Sequence, residues 1–158
     1  MSKAKLVVGE AAENGRPSFA RLEMIVGCFP EGPEAALFEM MLFTGCRVSE
    51  IIQMQADDVR SDNCEERMAI RIRSGKVRTV REVSLSGRCL ATVKKYLSEN
   101  PPLQGAPLFR DLYGRPWTAA RIRARIRFWA NKLDFAPITP YDFRRARFSD
   151  LRNPLDHS

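Results

Sequence analysis

The sequence predicts a mainly helical single domain carrying one small antiparallel β insertion, an α+β fold. Three observations predict it. Apolar residues recur at three- and four-residue intervals through most of the chain, the signature of helices with one inner face. Over one stretch, residues 68–85, the period drops to two. A length of 158 residues suits one domain with one core. Hydrophobic residues make 44% of the chain and charged residues 28%, a globular balance that excludes a disordered chain. No apolar run approaches the roughly 20 residues a bilayer span needs. The N-terminal stretch lacks the apolar centre and small-residue cleavage site of a signal peptide. A cytoplasmic protein with no membrane partner is the expectation.

Residues 1–17 are polar, with Gly9, Gly15 and Pro17, and read as a flexible leader or linker remnant ahead of a domain over 18–158. Phe19, Leu22, Ile25 and Val26 mark a first helix, broken by Gly27 and the Pro30–Pro33 region. Pro33 opens the next, since proline is welcome in a first helical turn, and Ala36, Leu37, Met40, Met41 and Thr44 form its inner stripe up to Gly45. A short helical segment follows from Arg47 and closes at Asp57-Asp58. From Met68, Ile70 and Ile72 alternate with Arg71 and Arg73, and Val77, Val80, Val83 and Leu85 lie beyond the Ser74-Gly75 turn. That predicts a hairpin or small sheet with arginines on one face. Ser86 begins a helix with Leu90, Val93 and Leu97 inside, ended by Asn100-Pro101-Pro102. Thr118 is a candidate N-cap for a helix whose Ile122, Ile126, Trp129 and Leu133 make one buried stripe. Tyr141 to Leu151 reads as a last helix.

Net charge is +7, and its distribution is uneven. Residues 110–152 hold eleven Arg or Lys against four Asp or Glu, while the remainder holds fifteen of each sign. Twenty of the 26 basic residues are arginine, the side chain suited to two-pronged phosphate contacts. A polyanion partner follows, nucleic acid before membrane. The four cysteines make no Cys-x-x-Cys pair and the single histidine, His157, is remote from them, so free thiols and no metal site are expected.

Four segments, in order, carry a resemblance. The first is Thr44-Gly45-Cys46-Arg47-Val48-Ser49-Glu50 after an apolar helix. The second is Ser74-Gly75-Lys76 with Arg81 and Val83-Ser84-Leu85 downstream. The third and weakest is Gly114-Arg115-Pro116-Trp117-Thr118, and the fourth Thr139-Pro140-Tyr141-Asp142-Phe143-Arg144-Arg145. From about residue 33 to about 150 the chain resembles the catalytic domain of the tyrosine recombinases, or phage integrases, enzymes that cut and rejoin DNA strands through a phosphotyrosine link. The resemblance implies duplex DNA as partner, other recombinase subunits as possible neighbours on it, and no cofactor.

The resemblance assigns roles residue by residue. Arg47 and Arg144, 97 positions apart, become a clamp on the attacked phosphate. Two guanidinium groups suit that task because they stay charged at any working pH and pair with the non-bridging oxygens. Lys76 matches the general acid for the departing sugar oxygen, with Arg73 and Arg78 nearby in sequence to favour its deprotonated form. Glu50 would repel a phosphate and reads as a support that holds an arginine in place. Arg73, Arg78, Arg81, Arg121, Arg123, Arg125, Arg127 and Arg147 are candidate DNA contacts. The arginines of 121–127 alternate with apolar residues, so they point to several sides of their helix and not all can reach one groove.

The plainer readings stand beside these. Arg47 could be a surface arginine at a helix start, Lys76 a solvated turn lysine, and Arg144 part of a general basic face. There are also departures from the family pattern. Tyr141 and Arg145 stand where histidines are usual. Tyr141 remains a candidate catalytic residue because a phenol can still donate a hydrogen bond to phosphate, though it titrates far above neutral pH and is a poor general base. Arg145 remains a supporting residue beside Glu50. The family's Gly-His and attacking tyrosine would lie beyond Ser158. None of Tyr96, Tyr113 and Tyr141 has the nucleophile's context, so this chain by itself is expected to bind DNA without cleaving it. A non-catalytic DNA-binding regulator on the same fold, or an RNA-binding basic helical module, are the alternatives.

Overall fold

The computed structural model describes residues 15–61, 67–75 and 79–152. Lys76, Arg78, Cys64 and His157 lie outside these, as do residues 1–14 of the expected leader. Six α-helices and a three-stranded antiparallel sheet appear in the order α1 (Phe19–Gly27), α2 (Pro33–Thr44), α3 (Val48–Ile52), a 3-10 turn (Ala56–Asp58), β1 (Val59–Ser61), β2 (Met68–Ser74), β3 (Thr79–Leu85), α4 (Gly87–Glu99), α5 (Ala119–Lys132) and α6 (Pro140–Arg152). This is the mainly helical fold with a small β insertion that the periodicities predict.

Helix α2 is the hub. It packs against α1, α4 and α6. The sequence predicts one inner stripe, but Ala35 through Leu42 are all buried, Phe38 and Leu42 included. A helix buried on nearly every side, with Glu39 the one charged residue in that stretch, has to sit in the centre of its domain. Each large side chain fully buried here contributes about 1.5–3 kcal/mol. Gly45 ends α2 in the left-handed conformation, φ 66°, and its N–H bonds the Met41 carbonyl. That backbone position favours glycine. A Cβ there would also stand 3.4 Å from the Arg147 side chain on α6.

The sheet has the order β1-β2-β3. Ile70 and Ile72 are buried on its inner face, and Arg71 and Arg73 lie on the other, as the alternation requires. Strand β1 is a departure from expectation: three residues are too short to show a period, and only pairing of Val59 with Ile70 reveals the strand. The arginines also do not share one face. Arg81 pairs across from buried Ile72, which turns it inward with Val83 and Leu85.

The helix starts follow local capping chemistry. Ser18 and Thr118 accept hydrogen bonds from Arg21 N and Arg121 N, both at 3.2 Å. Thr139 and Asp142 bond reciprocally at the start of α6, with Pro140 in the first helical turn. Arg16 and Pro17, assigned to the leader by composition, touch α6: Arg16 pairs with Asp142 at 3.1 Å, and Arg145 donates to the Pro17 carbonyl at 3.2 Å.

Candidate functional site

Where α2 ends, its last carbonyls lack partners inside the helix and carry the negative end of its dipole. Two arginines from elsewhere in the chain fill that place. Arg144, on α6, donates to the Gly45 carbonyl at 2.8 Å. Arg81, on β3, donates to the Thr44 carbonyl at 3.4 Å. The Thr44 hydroxyl turns the chain by donating back to Met40 O at 2.7 Å and accepting from Cys46 N at 3.2 Å. Arg47 then follows as the residue that opens α3.

Glu50 fixes this corner. Its side chain is 5% exposed. It accepts from the Arg47 backbone N–H at 2.6 Å and lies 4.0 Å from the Arg47 guanidinium and 3.9 Å from that of Arg144. One buried carboxylate thus touches both arginines that the sequence pairs as a clamp. The Phe148 ring lies 4.8 Å from the Arg144 guanidinium and 6.0 Å from that of Arg81.

Arg47, Glu50, Arg81 and Arg144 line one open cavity of about 310 Å³, with Ile72 and Phe148 as apolar walls. Three guanidinium groups face a single carboxylate there. Burial, and after it the neighbouring Arg47, holds the Arg144 pKa below its ordinary value, with Glu50 opposing. The crowding of like charge in a half-buried recess leaves a net positive field suited to an anion. Ser74 and Thr79 also line the cavity. Lys76 and Arg78 belong to the segment that joins those two residues.

The other sequence candidates separate. Arg73 and Arg71 both pair with buried Asp58, at 2.9 and 3.2 Å. Arg121 bonds Asp111 and the Pro116 carbonyl and lies over Trp117. Arg125 makes a two-pronged pair with Glu34, at 2.8 and 3.1 Å. Arg147 pairs with Asp150 at 3.3 Å, its side chain 15% exposed against Phe19 and Phe43. Arg145 is spent on Pro17. Arg123 and Arg127 are exposed on α5. Tyr141 is 63% exposed and does not line the cavity. Neither do Tyr113, which is exposed, or Tyr96, whose buried hydroxyl donates to Leu108 O and accepts from Arg110 N.

Sequence reasoning missed the acids that claim these arginines, Glu34, Asp58 and Asp111, and the two carbonyls of the α2 end. It also missed the inward turn of Arg81, for which a signal existed: Arg81 shares the parity of Val83 and Leu85. Cys28, Cys46 and Cys89 are free thiols, and burial pushes the Cys46 thiol up to about 11. Among the described residues no three His, Cys, Asp or Glu side chains are grouped to hold a metal ion, and no helix is long and apolar enough to cross a membrane.

Residues 30–154 match the phage integrase family, and the chain belongs to that family. Among curated proteins it is 33% identical over 113 residues to the tyrosine recombinase XerC of Neisseria gonorrhoeae (strain ATCC 700825 / FA 1090), covering 70% of this chain and 35% of that protein. It is 26% identical over 133 residues to the putative integrase/recombinase y4qK of Sinorhizobium fredii (strain NBRC 101917 / NGR234), covering 79% and 39%. The chain therefore spans little more than a third of the length of these relatives. The XerA recombinase structure superposes with a TM-score of 0.72 at 24% identity, over 87% of this chain and 50% of that one. The XerH site-specific recombinase bound to its difH substrate superposes with a TM-score of 0.67 at 20% identity, over 90% and 44%. The fold is that of a recombinase catalytic domain.

Proposed function

We propose that this chain is the DNA-binding part of a site-specific tyrosine recombinase, in which Arg47 and Arg144 clamp one backbone phosphate of duplex DNA. One observation carries the reading: two guanidinium groups 97 positions apart in the sequence meet on one cavity and share one buried carboxylate. Paired N–H donors match the two non-bridging oxygens of a phosphodiester, and their charge offsets the negative charge that gathers there under attack. Glu50 positions both donors and keeps them from folding away from the cavity. Lys76 supplies the proton to the departing sugar oxygen. A structural neighbour, the Tn1549 transposon integrase, was solved in complex with transposon right end DNA, which supports DNA as the partner over RNA.

Cleavage requires a tyrosine hydroxyl in line with the phosphorus. None of the three tyrosines lines the cavity. Within these 158 residues the reading is a phosphate grip without a cutting group. In the whole recombinase, tyrosine attack conserves the bond energy as phosphotyrosine, so strand rejoining needs no nucleotide or metal. Several copies would assemble on one DNA site. Anisotropy titration of a labelled duplex, with single-stranded RNA as competitor, tests the binding. Salt-sensitive duplex binding that RNA does not displace supports it, and RNA preference overturns it. A nicked suicide duplex tests the rest: a covalent protein–DNA adduct would refute the absence of cleavage.

A further inference from the structure

Beyond the two-arginine clamp, and resting on the same DNA-binding reading, we infer that Arg81 is a third guanidinium on the same bound phosphate. It arrives from a different element than either clamp residue. Its register opposite Ile72 turns it off the solvent face of the sheet and into the cavity that Arg47 and Arg144 line. Its contacts there are partial. One terminal nitrogen donates a long bond, 3.4 Å, to Thr44 O. The other, Nη2, is buried and has no hydrogen-bond partner. A buried guanidinium nitrogen without an acceptor is costly, so the protein leaves the Arg81 fork only partly satisfied beside the cavity that the residue lines.

Arg110, Arg145 and Arg147 also hold a buried guanidinium nitrogen without a partner, but of these four arginines only Arg81 lines the cavity. Arg71, Arg73, Arg121 and Arg125 each pair with a carboxylate. Arg81 has no carboxylate among its described ion pairs, and the acid on its cavity, Glu50, already serves Arg47 and Arg144. Arg81 lies 6.0 Å from the same Phe148 ring that Arg144 approaches at 4.8 Å, and both line the one cavity. An oxyanion accepting from Arg144 would therefore stand in a cavity that Arg81 also lines.

Duplex binding by the full chain tests it, using Arg81→Gln, Arg81→Lys, Arg144→Gln and the double Arg81→Gln/Arg144→Gln, with a melting curve for each. Arg81→Gln should weaken duplex affinity about fivefold to tenfold. Arg81→Lys should recover only part of that, because lysine keeps the charge and loses the fork. The double variant should lose less than the product of the two single losses, since both groups hold one phosphate. Affinity within twofold of wild type for Arg81→Gln, or losses that multiply in full, overturns the inference. If Arg81→Gln does not fold, Arg81→Lys decides: wild-type affinity at wild-type melting temperature overturns it, and reduced affinity supports it. If Arg144→Gln also leaves duplex affinity unchanged, the clamp itself fails, which is a distinct result.

Discussion

Two regions of this domain are rich in arginine and use it in opposite ways. Helix α5 carries four arginines in seven residues. Two of them are satisfied within the protein: Arg121 by Asp111, and Arg125 by Glu34, which also accepts from the Trp129 indole at 2.6 Å. The cavity at the end of α2 gathers Arg47, Arg81 and Arg144 around the single carboxylate of Glu50. In α5 the charge of Arg121 and Arg125 is structural, fastening the loop over 111–117 and the start of α2 to the helix, while Arg123 and Arg127 stay exposed. At the cavity it is left in excess. Two of its three arginines also come from outside the basic final third. Local charge density in the sequence thus points to α5, whereas the ratio of guanidinium to carboxylate in three dimensions points to the cavity.

The sharpest way to break this contrast is to remove one arginine from each region. Arg144→Ala should lower duplex affinity by about tenfold or more, the worth of a charge-assisted pair, with a smaller effect on melting. Arg125→Ala should do the reverse, leaving affinity within about threefold while lowering the melting temperature. Anisotropy and thermal unfolding on both variants check it, and equal binding losses would erase the distinction. Glu34→Ala comes next. It strands the Arg125 guanidinium and the Trp129 N–H together, and should cost about 2–3 kcal/mol in urea unfolding.

The fold was more legible than the site. Helical spacing, the period-two stretch and the Ser18, Thr118 and Pro33 start signals place every α-helix, because these are local effects written within a few residues. Strand β1 escaped because three residues carry no period, and the full burial of α2 escaped because a stripe is all that spacing can show. At the site, the ordered Thr-Gly-x-Arg and Phe-Arg-Arg segments point to Arg47 and Arg144, which the fold brings to one cavity. What the sequence could not show is which arginines are already occupied. Asp58 lies 13 positions from Arg71, and Glu34 lies 91 from Arg125, so only the assembled chain pairs them. Phe-Arg-Arg-Ala-Arg reads as one basic run, yet only Arg144 reaches the cavity, while Arg145 and Arg147 are taken up by Pro17 and Asp150.

A smaller effect should separate the regions by pH. Burial raises the Asp111 carboxyl, but backbone donors from Arg115 and Tyr113, then the side chains of Arg121 and Arg115, outweigh it and hold it at about 2. A carboxyl depressed below its unfolded value of roughly 3.9 stabilises the fold above that pH. The contribution fades as pH falls from about 4 through about 2. Acid unfolding should therefore begin in that window, and Asp111→Asn should flatten the dependence there while lowering stability at neutral pH. An unchanged acid profile in Asp111→Asn would mean that the loop over 111–117 does not depend on this carboxylate.

The smallest expected effect falls on the residue the sequence made most conspicuous. Tyr141 occupies a position where the family pattern has histidine, which suggests a hydroxyl donating to phosphate. Its surroundings argue otherwise. The segment Thr139-Pro140-Tyr141-Asp142 is first a helix start: Thr139 and Asp142 bond each other across it, and Pro140 sets the first turn. Those demands fix the backbone at Tyr141 and leave its ring 63% exposed, off the cavity. Tyr141→Phe should therefore change duplex affinity by less than about twofold, below the worth of one lost neutral hydrogen bond. A larger drop, with melting unchanged, would place the phenol on the DNA and make the phosphate seat extend along α6 beyond the three arginines.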